Sequence, residues 1–142
     1  MDTFLRDKKM TSKVVYQEGL RTEATHIQSG NIIITDAPTD NQGKGEAFSP
    51  TDLVATALAS CMLTIMGIKS KQFHVSLEGT TAEVQKVMAS EPRRISEIII
   101  HIKSPISLDN KTRIILEKSA LACPVAKSLA SELISKVNFS WH

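Results

Sequence analysis

The sequence predicts an α+β fold, with antiparallel sheets around central helices, in one domain spanning residues 1–142. Three observations carry that prediction. Short alternating segments punctuated by glycine fill the first third of the chain. A long, almost uniformly apolar helical pattern follows. Two more strands, two helical signals and a final strand then complete the order βββ-α-ββ-αα-β, in which strands and helices are segregated.

Lys13–Glu18 and Arg21–Gln28 read as strands joined at Gly19, and Ser29-Gly30-Asn31 is a turn before a third strand, Asn31–Thr35. Together they form an antiparallel meander. Residues 36–48 are a polar loop rich in Gly, Asp and Asn. Its Gly43-Lys44-Gly45 lacks the spacing and the Lys-Ser/Thr ending of a phosphate loop and is rejected as one. Ser49-Pro50-Thr51-Asp52 then marks a helix start: Ser as N-cap, Pro at the first helical position, and an acid near the positive end of the dipole. From Leu53 to about Ile68 the helix is apolar nearly all round, which places it in the middle of a fold.

Phe73–Met88 alternates as Phe73, Val75, Leu77 against His74, Ser76, Glu78, with a bulge or bend at Gly79. Glu91-Pro92-Arg93 is a turn, and Arg94–Lys103 is a strand with Ile98, Ile100 and Ile102 on one face. Ser107–Leu121 is helical, with Asp109 near its start. Cys123-Pro124 opens another helix, in which Val125, Leu129 and Leu133 recur every four residues. Val137–Trp141 closes the chain as a strand.

Composition narrows the function. The apolar fraction is 42% and charged residues make up 23%, ordinary for a globular protein. Net charge is +2 with the 17 basic residues scattered, and aromatics are 4%, so neither a basic stripe nor a stacking platform for nucleic acid is present. Residues 1–10 are polar and charged, which predicts a flexible N-terminus and no signal peptide. The apolar run Leu53–Ile68 reads as too short to span a bilayer. A cytosolic address follows, where two cysteines are buried thiols, metal ligands or redox residues rather than a static disulfide.

Cys61 lies in the apolar helix among Ala57, Ala59 and Ser60. It is either a small core hydrophobe or a thiol that something can approach. Cys123 stands just before Pro124, at an N-cap position whose unpaired N–H groups favour a thiolate, so on electrostatics alone it is the easier of the two to ionise. Cys61 then needs help from a cation or a donor. His26, His74, His101 and His142 give no zinc spacing with the cysteines, and His74 and His101 fall on solvent-facing sides of strands, so neither a metal nor a cofactor is expected. Arg21, just after the Glu18-Gly19-Leu20 turn, is either a solvated strand charge or a side chain aimed across at another element. Glu46 is a loop carboxylate unless something orients it.

Ser49–Cys61 (SPTDLVATALASC) together with Cys123-Pro124 (CPVAKSL) resembles the OsmC/Ohr family, the osmotically inducible and organic hydroperoxide resistance proteins. The resemblance covers nearly the whole chain beyond its first ten residues. It implies an intertwined homodimer with two active sites, each built at the subunit interface around the central helices, and thiol-dependent peroxidase activity, in many members preferring organic hydroperoxides. By that resemblance Cys61 is the peroxidatic cysteine, Cys123 the resolving cysteine, and Arg21 the arginine that stabilises the thiolate. A dithiol such as lipoamide, or another cellular thiol, is the implied reductant. One position departs from the family's best-studied branch, where a glutamate that holds the arginine stands at the place of Thr51. Glu46 is favoured over Asp52 as its replacement, because Asp52 suits the helix cap. A dimeric ligand-binding module and a redox sensor are the competing readings.

Overall fold

The computed structural model describes residues 9–142. The flexible start expected over residues 1–10 therefore lies almost wholly outside the described residues. The chain divides into two compact units, Met1–Pro50 and Thr51–His142.

The first unit is the meander. β1 (Ser12–Gln17), β2 (Arg21–His26) and β3 (Ile32–Asp36) pair antiparallel in that order. Gly19 and Gly30 take the positive φ that the two tight connections require. Every residue of β1 is exposed, including Val14, Val15 and Tyr16, and so are Ile32, Ile33 and Ile34 on β3. Neighbouring strand residues point to opposite faces, so this sheet carries uncovered apolar side chains on both sides. After Asp36 the chain makes a short 3-10 turn, Thr39–Asn41, and doubles back: Gly45 N–H donates to the Ala37 carbonyl, and Gly43 N–H to that of Pro38. A Cβ at Gly43 would stand 1.7 Å from the Ala37 oxygen, so only glycine fits there.

The second unit is built on α1 (Pro50–Ser70), which continues into a 3-10 turn at Lys71–Phe73. With that turn the helix is long and apolar enough, by length and composition, to cross a membrane, which corrects the expectation that it is too short. Its burial follows a helical stripe instead: Ala55, Leu58, Ala59, Met62 and Met66 join Ile98, Ile100, Ile102, Leu116, Ala120 and Cys123 in one core. The apolar residues off that stripe are not covered, and Val54 and Ile68 are 38% and 57% exposed. Within one chain, then, the helix is buried on one side only.

β4 (Thr81–Ala89) and β5 (Arg94–Ser104) form an antiparallel hairpin with a bulge at Val87/Met88. The predicted strand over 73–79 is absent. His74 is in the left-handed region, Gly79 has φ +87°, and Thr80 N–H closes a turn onto Leu77. After β5, α2 (Asn110–Leu121) is capped by Asp109, which accepts from Thr112 N–H. α3 (Pro124–Ser128) is shorter than the every-four spacing predicts, because Leu129 is already extended. β6 (Ile134–Trp141) then pairs with β5 in parallel, so the second sheet is mixed where purely antiparallel pairing was expected. The two-helix crossover permits it, since a parallel return needs a long connection. In this register Val84, Ile100 and Val137 stand in one row, and Ala82, Ile102 and Phe139 in the next.

Candidate active site

Cys61 and Cys123 come together in the second unit, both against the same core. Cys61 is half-buried on α1, and Cys123 is fully buried. Both are free thiols. Cys123 is the N-cap expected from the sequence: its backbone is extended, and its Sγ accepts from Ala126 N–H at 3.5 Å. The inferred consequence does not follow. Burial pushes the Cys123 thiol above its ordinary value; the Ala126 N–H opposes this, and the hydrogen bond and charge of the neighbouring Cys61 reinforce it. A five-residue helix also has few aligned peptides with which to favour a thiolate. Burial thus makes Cys123 a reluctant thiolate in spite of its cap position.

Arg21 is the first residue of β2 and stands directly across from Asp36, the last residue of β3. Its Nε donates to Asp36 Oδ1 at 2.7 Å and its Nη2 to Oδ2 at 2.9 Å, a bidentate pair. The Asp36 side chain is fully shielded, while that of Arg21 is 28% exposed. Asp36 also accepts the Glu46 N–H at 3.1 Å, which ties the returning loop to the strand end. The hydrogen bond from Arg21 holds the Asp36 carboxyl below the usual carboxylate range, against the opposing effect of its burial. The same bond raises the pKa of Arg21.

The acid that grips Arg21 is thus Asp36, which sequence reasoning missed. Glu46 reaches Nη2 only at 3.7 Å through an exposed carboxylate, and its closer contribution is its backbone N–H. Asp52 is engaged elsewhere, with Lys86 Nζ at 2.9 Å. Thr51 accepts a 2.8 Å hydrogen bond from the same Lys86, which extends from β4 to the helix start. His74 and His101 are exposed as expected, and His101 meets Asn138. Among the described residues, no three His, Cys, Asp or Glu side chains gather as a metal site.

A half-buried thiol on the apolar helix α1 and a buried thiol at the start of α3 thus stand together in an α+β fold. Residues 43–138 match the OsmC-like protein family, and the chain belongs to it. The fold agrees. A protein from Psychrobacter arcticus, named provisionally for osmotic stress and detoxification, is 59% identical with a TM-score of 0.91, over 94% of this chain and 97% of that one. The organic hydroperoxide resistance protein OsmC of Legionella pneumophila matches at 17% identity and a TM-score of 0.73, over 94% and 99%. An organic hydroperoxide resistance protein of Elizabethkingia anophelis matches at 14% and 0.73, over 96% and 99%. These last two likenesses concern the fold. No curated protein matches the chain.

Proposed function

We propose that the protein is a cysteine-based peroxidase that reduces organic hydroperoxides in a reducing, cytoplasmic compartment. The observation that carries this is the juxtaposition of the half-buried Cys61 thiol with the buried Cys123 thiol. In the first step the Cys61 thiolate attacks the terminal oxygen of ROOH. The O–O bond breaks, the alkoxide takes a proton and leaves as ROH, and Cys61 becomes a sulfenic acid. In the second step the Cys123 sulfur attacks Cys61, water leaves, and a disulfide forms. An external dithiol of the lipoamide type, or another thiol, then returns two electrons by exchange. Arg21 is assigned to stabilise the Cys61 thiolate and the departing oxygen.

We further propose that the working unit is a homodimer. Isolated three-stranded sheets need a covered face, and here both faces of the meander and the outer side of α1 are uncovered in one chain. A second copy supplies matching apolar surface.

Consumption of cumene hydroperoxide by the reduced protein, with lipoamide as reductant, tests the reading. The expected result is multiple turnover that vanishes in Cys61→Ser. Unchanged turnover in that variant overturns the assignment. A reaction no faster than with glutathione favours a binding or sensing role instead.

A further inference from the structure

Helix α2 has two contrasting faces. Thr112, Leu116 and Ala120 are buried against the core. Lys111, Ile114, Lys118 and Leu121 are exposed, Ile114 and Leu121 by 50% each. At about 100° per residue these four lie within about 80° of one another, opposite the buried row. The lysines form one line, and the two apolar side chains a second line beside it. Neither lysine makes an ion pair among the described residues. The acids of this stretch serve the chain itself: Asp109 caps the helix, accepting from Thr112 N–H, and Glu117 accepts from Trp141 Nε1 at 2.9 Å. Helix stability does not explain the exposed row. Lys118, in the last turn, suits the negative end of the dipole, but Lys111 stands in the first turn, where a cation is disfavoured. Leu121 ends α2 two residues before Cys123, and Lys127 is exposed on α3 just beyond.

We infer that this exposed row of α2 is the docking face for an acidic protein that carries the dithiol reductant. The inference rests on the proposed peroxidase cycle, whose disulfide is reduced from outside, and adds the surface on which the reductant lands. Two lysines beside two apolar side chains are complementary to carboxylates around a small apolar spot. A second copy fits badly, because a two-fold contact sets one patch against itself and brings lysines to face lysines. A lipid surface also fits badly: a helix lying in it buries a broad apolar face, whereas here only Ile114 and Leu121 are offered. The row leads to the Cys123 segment, so a partner laid along α2 brings its arm toward the thiol pair. A thiolate of that arm attacks the sulfur of Cys61, the less buried of the two. The Cys61–Cys123 bond breaks, and Cys123 leaves as a thiolate that receives the Ala126 N–H and then takes a proton. The second thiol of the arm displaces Cys61 from the mixed disulfide. The arm ends oxidised to a disulfide, and both cysteines are thiols again.

The test reduces one disulfide with two dithiols. Diamide links Cys61 to Cys123 in the full-length protein, so that docking is read independently of peroxide chemistry. Thiol release is then followed with free dihydrolipoamide and with a dihydrolipoyl protein domain of net negative charge. Lys111→Glu/Lys118→Glu should slow reduction by the domain about tenfold, through KM, and leave the rate with free dihydrolipoamide unchanged. Ile114→Ala/Leu121→Ala should raise KM for the domain alone. Salt raised from about 50 mM to about 500 mM should slow the domain and not the free dithiol. Equal slowing with both reductants, or a wild-type rate with the domain in the charge-reversed variant, overturns the docking face. A wild-type rate joined to lost binding of phosphatidylglycerol vesicles, or to a changed mass in light scattering, reassigns the row to a lipid surface or to a second copy. Failure of diamide to link the two cysteines overturns the inference and the proposed cycle together. Normal docking without any turnover of hydroperoxide overturns the peroxidase reading alone.

Discussion

Oxidation by one equivalent of cumene hydroperoxide should stabilise this protein against denaturant, and by a calculable amount. The structure sets Cys61 and Cys123 beside each other while the chain between them carries β4, β5 and α2. A disulfide here therefore closes a long loop and removes much of the unfolded chain's freedom. For a loop of about sixty residues the chain-entropy relation gives roughly 4 kcal/mol. With a urea slope of about 2 kcal/mol per molar, that moves the unfolding midpoint up by about 2 M.

The assay is urea unfolding followed by circular dichroism on reduced and oxidised samples. Both are held at one protein concentration, because any oligomer makes the midpoint concentration-dependent. Thiol titration on the same samples should fall from two to zero per chain. The reasoning is refuted by a midpoint that does not rise, or by a persistent Cys61 sulfenic acid beside a free Cys123. A disulfide that forms but lowers the midpoint refutes it in a different way. It shows that the thiols, although neighbours, bond only by distorting the backbone around them.

Two more outcomes are expected. The Asp36 carboxyl sits below its ordinary 3.8 in the fold, so its contribution is complete above that value and is lost as pH falls through the lower folded-state value; Asp36→Asn should flatten this acid limb of the stability curve, and an unchanged limb refutes the assignment. Ile68→Lys puts a charge on the uncovered side of α1 and should shift the mass measured by light scattering from dimer toward monomer, whereas an unaltered dimer excludes that side as the interface.

Most elements were legible in the sequence because their signals are local. Ser49-Pro50 announces α1, Asp109 caps α2, and the alternate isoleucines of β5 are buried as their spacing requires. Two misreadings share one cause. Phe73, Val75 and Leu77 are half-buried while His74, Ser76 and Glu78 are exposed, so the alternation reports burial correctly, yet no strand lies alongside and the backbone turns at His74 and Gly79. Val125, Leu129 and Leu133 are likewise all half-buried, although the helix ends at Ser128. Periodicity records which side chains face the core. It records conformation only where a ladder or a continuing helix enforces it. The partner of Arg21 was hidden for a different reason. Which acid meets it depends on the register between β2 and β3, and the readable hint was an arginine opening one strand of a meander and an aspartate closing the next.

The correction at Cys123 gives the thiol pair an order of events. On the electrostatics of its place at a helix start alone, it is the thiol expected to ionise more easily. Burial opposes that by raising the Cys123 pKa, and charge on Cys61 adds to the opposition. In the proposed cycle, negative charge on Cys61 works against ionisation of Cys123. In that cycle, attack on the peroxide would turn Cys61 into a neutral sulfenic acid and so remove a charge that opposes ionisation of Cys123. The Ala126 N–H already donates to the Cys123 sulfur, where a thiolate's charge would sit. Reaction at the first sulfur thus lifts part of the restraint on the second. The proposed cycle would thus make the second thiol a better nucleophile once there is a sulfenic acid for it to attack.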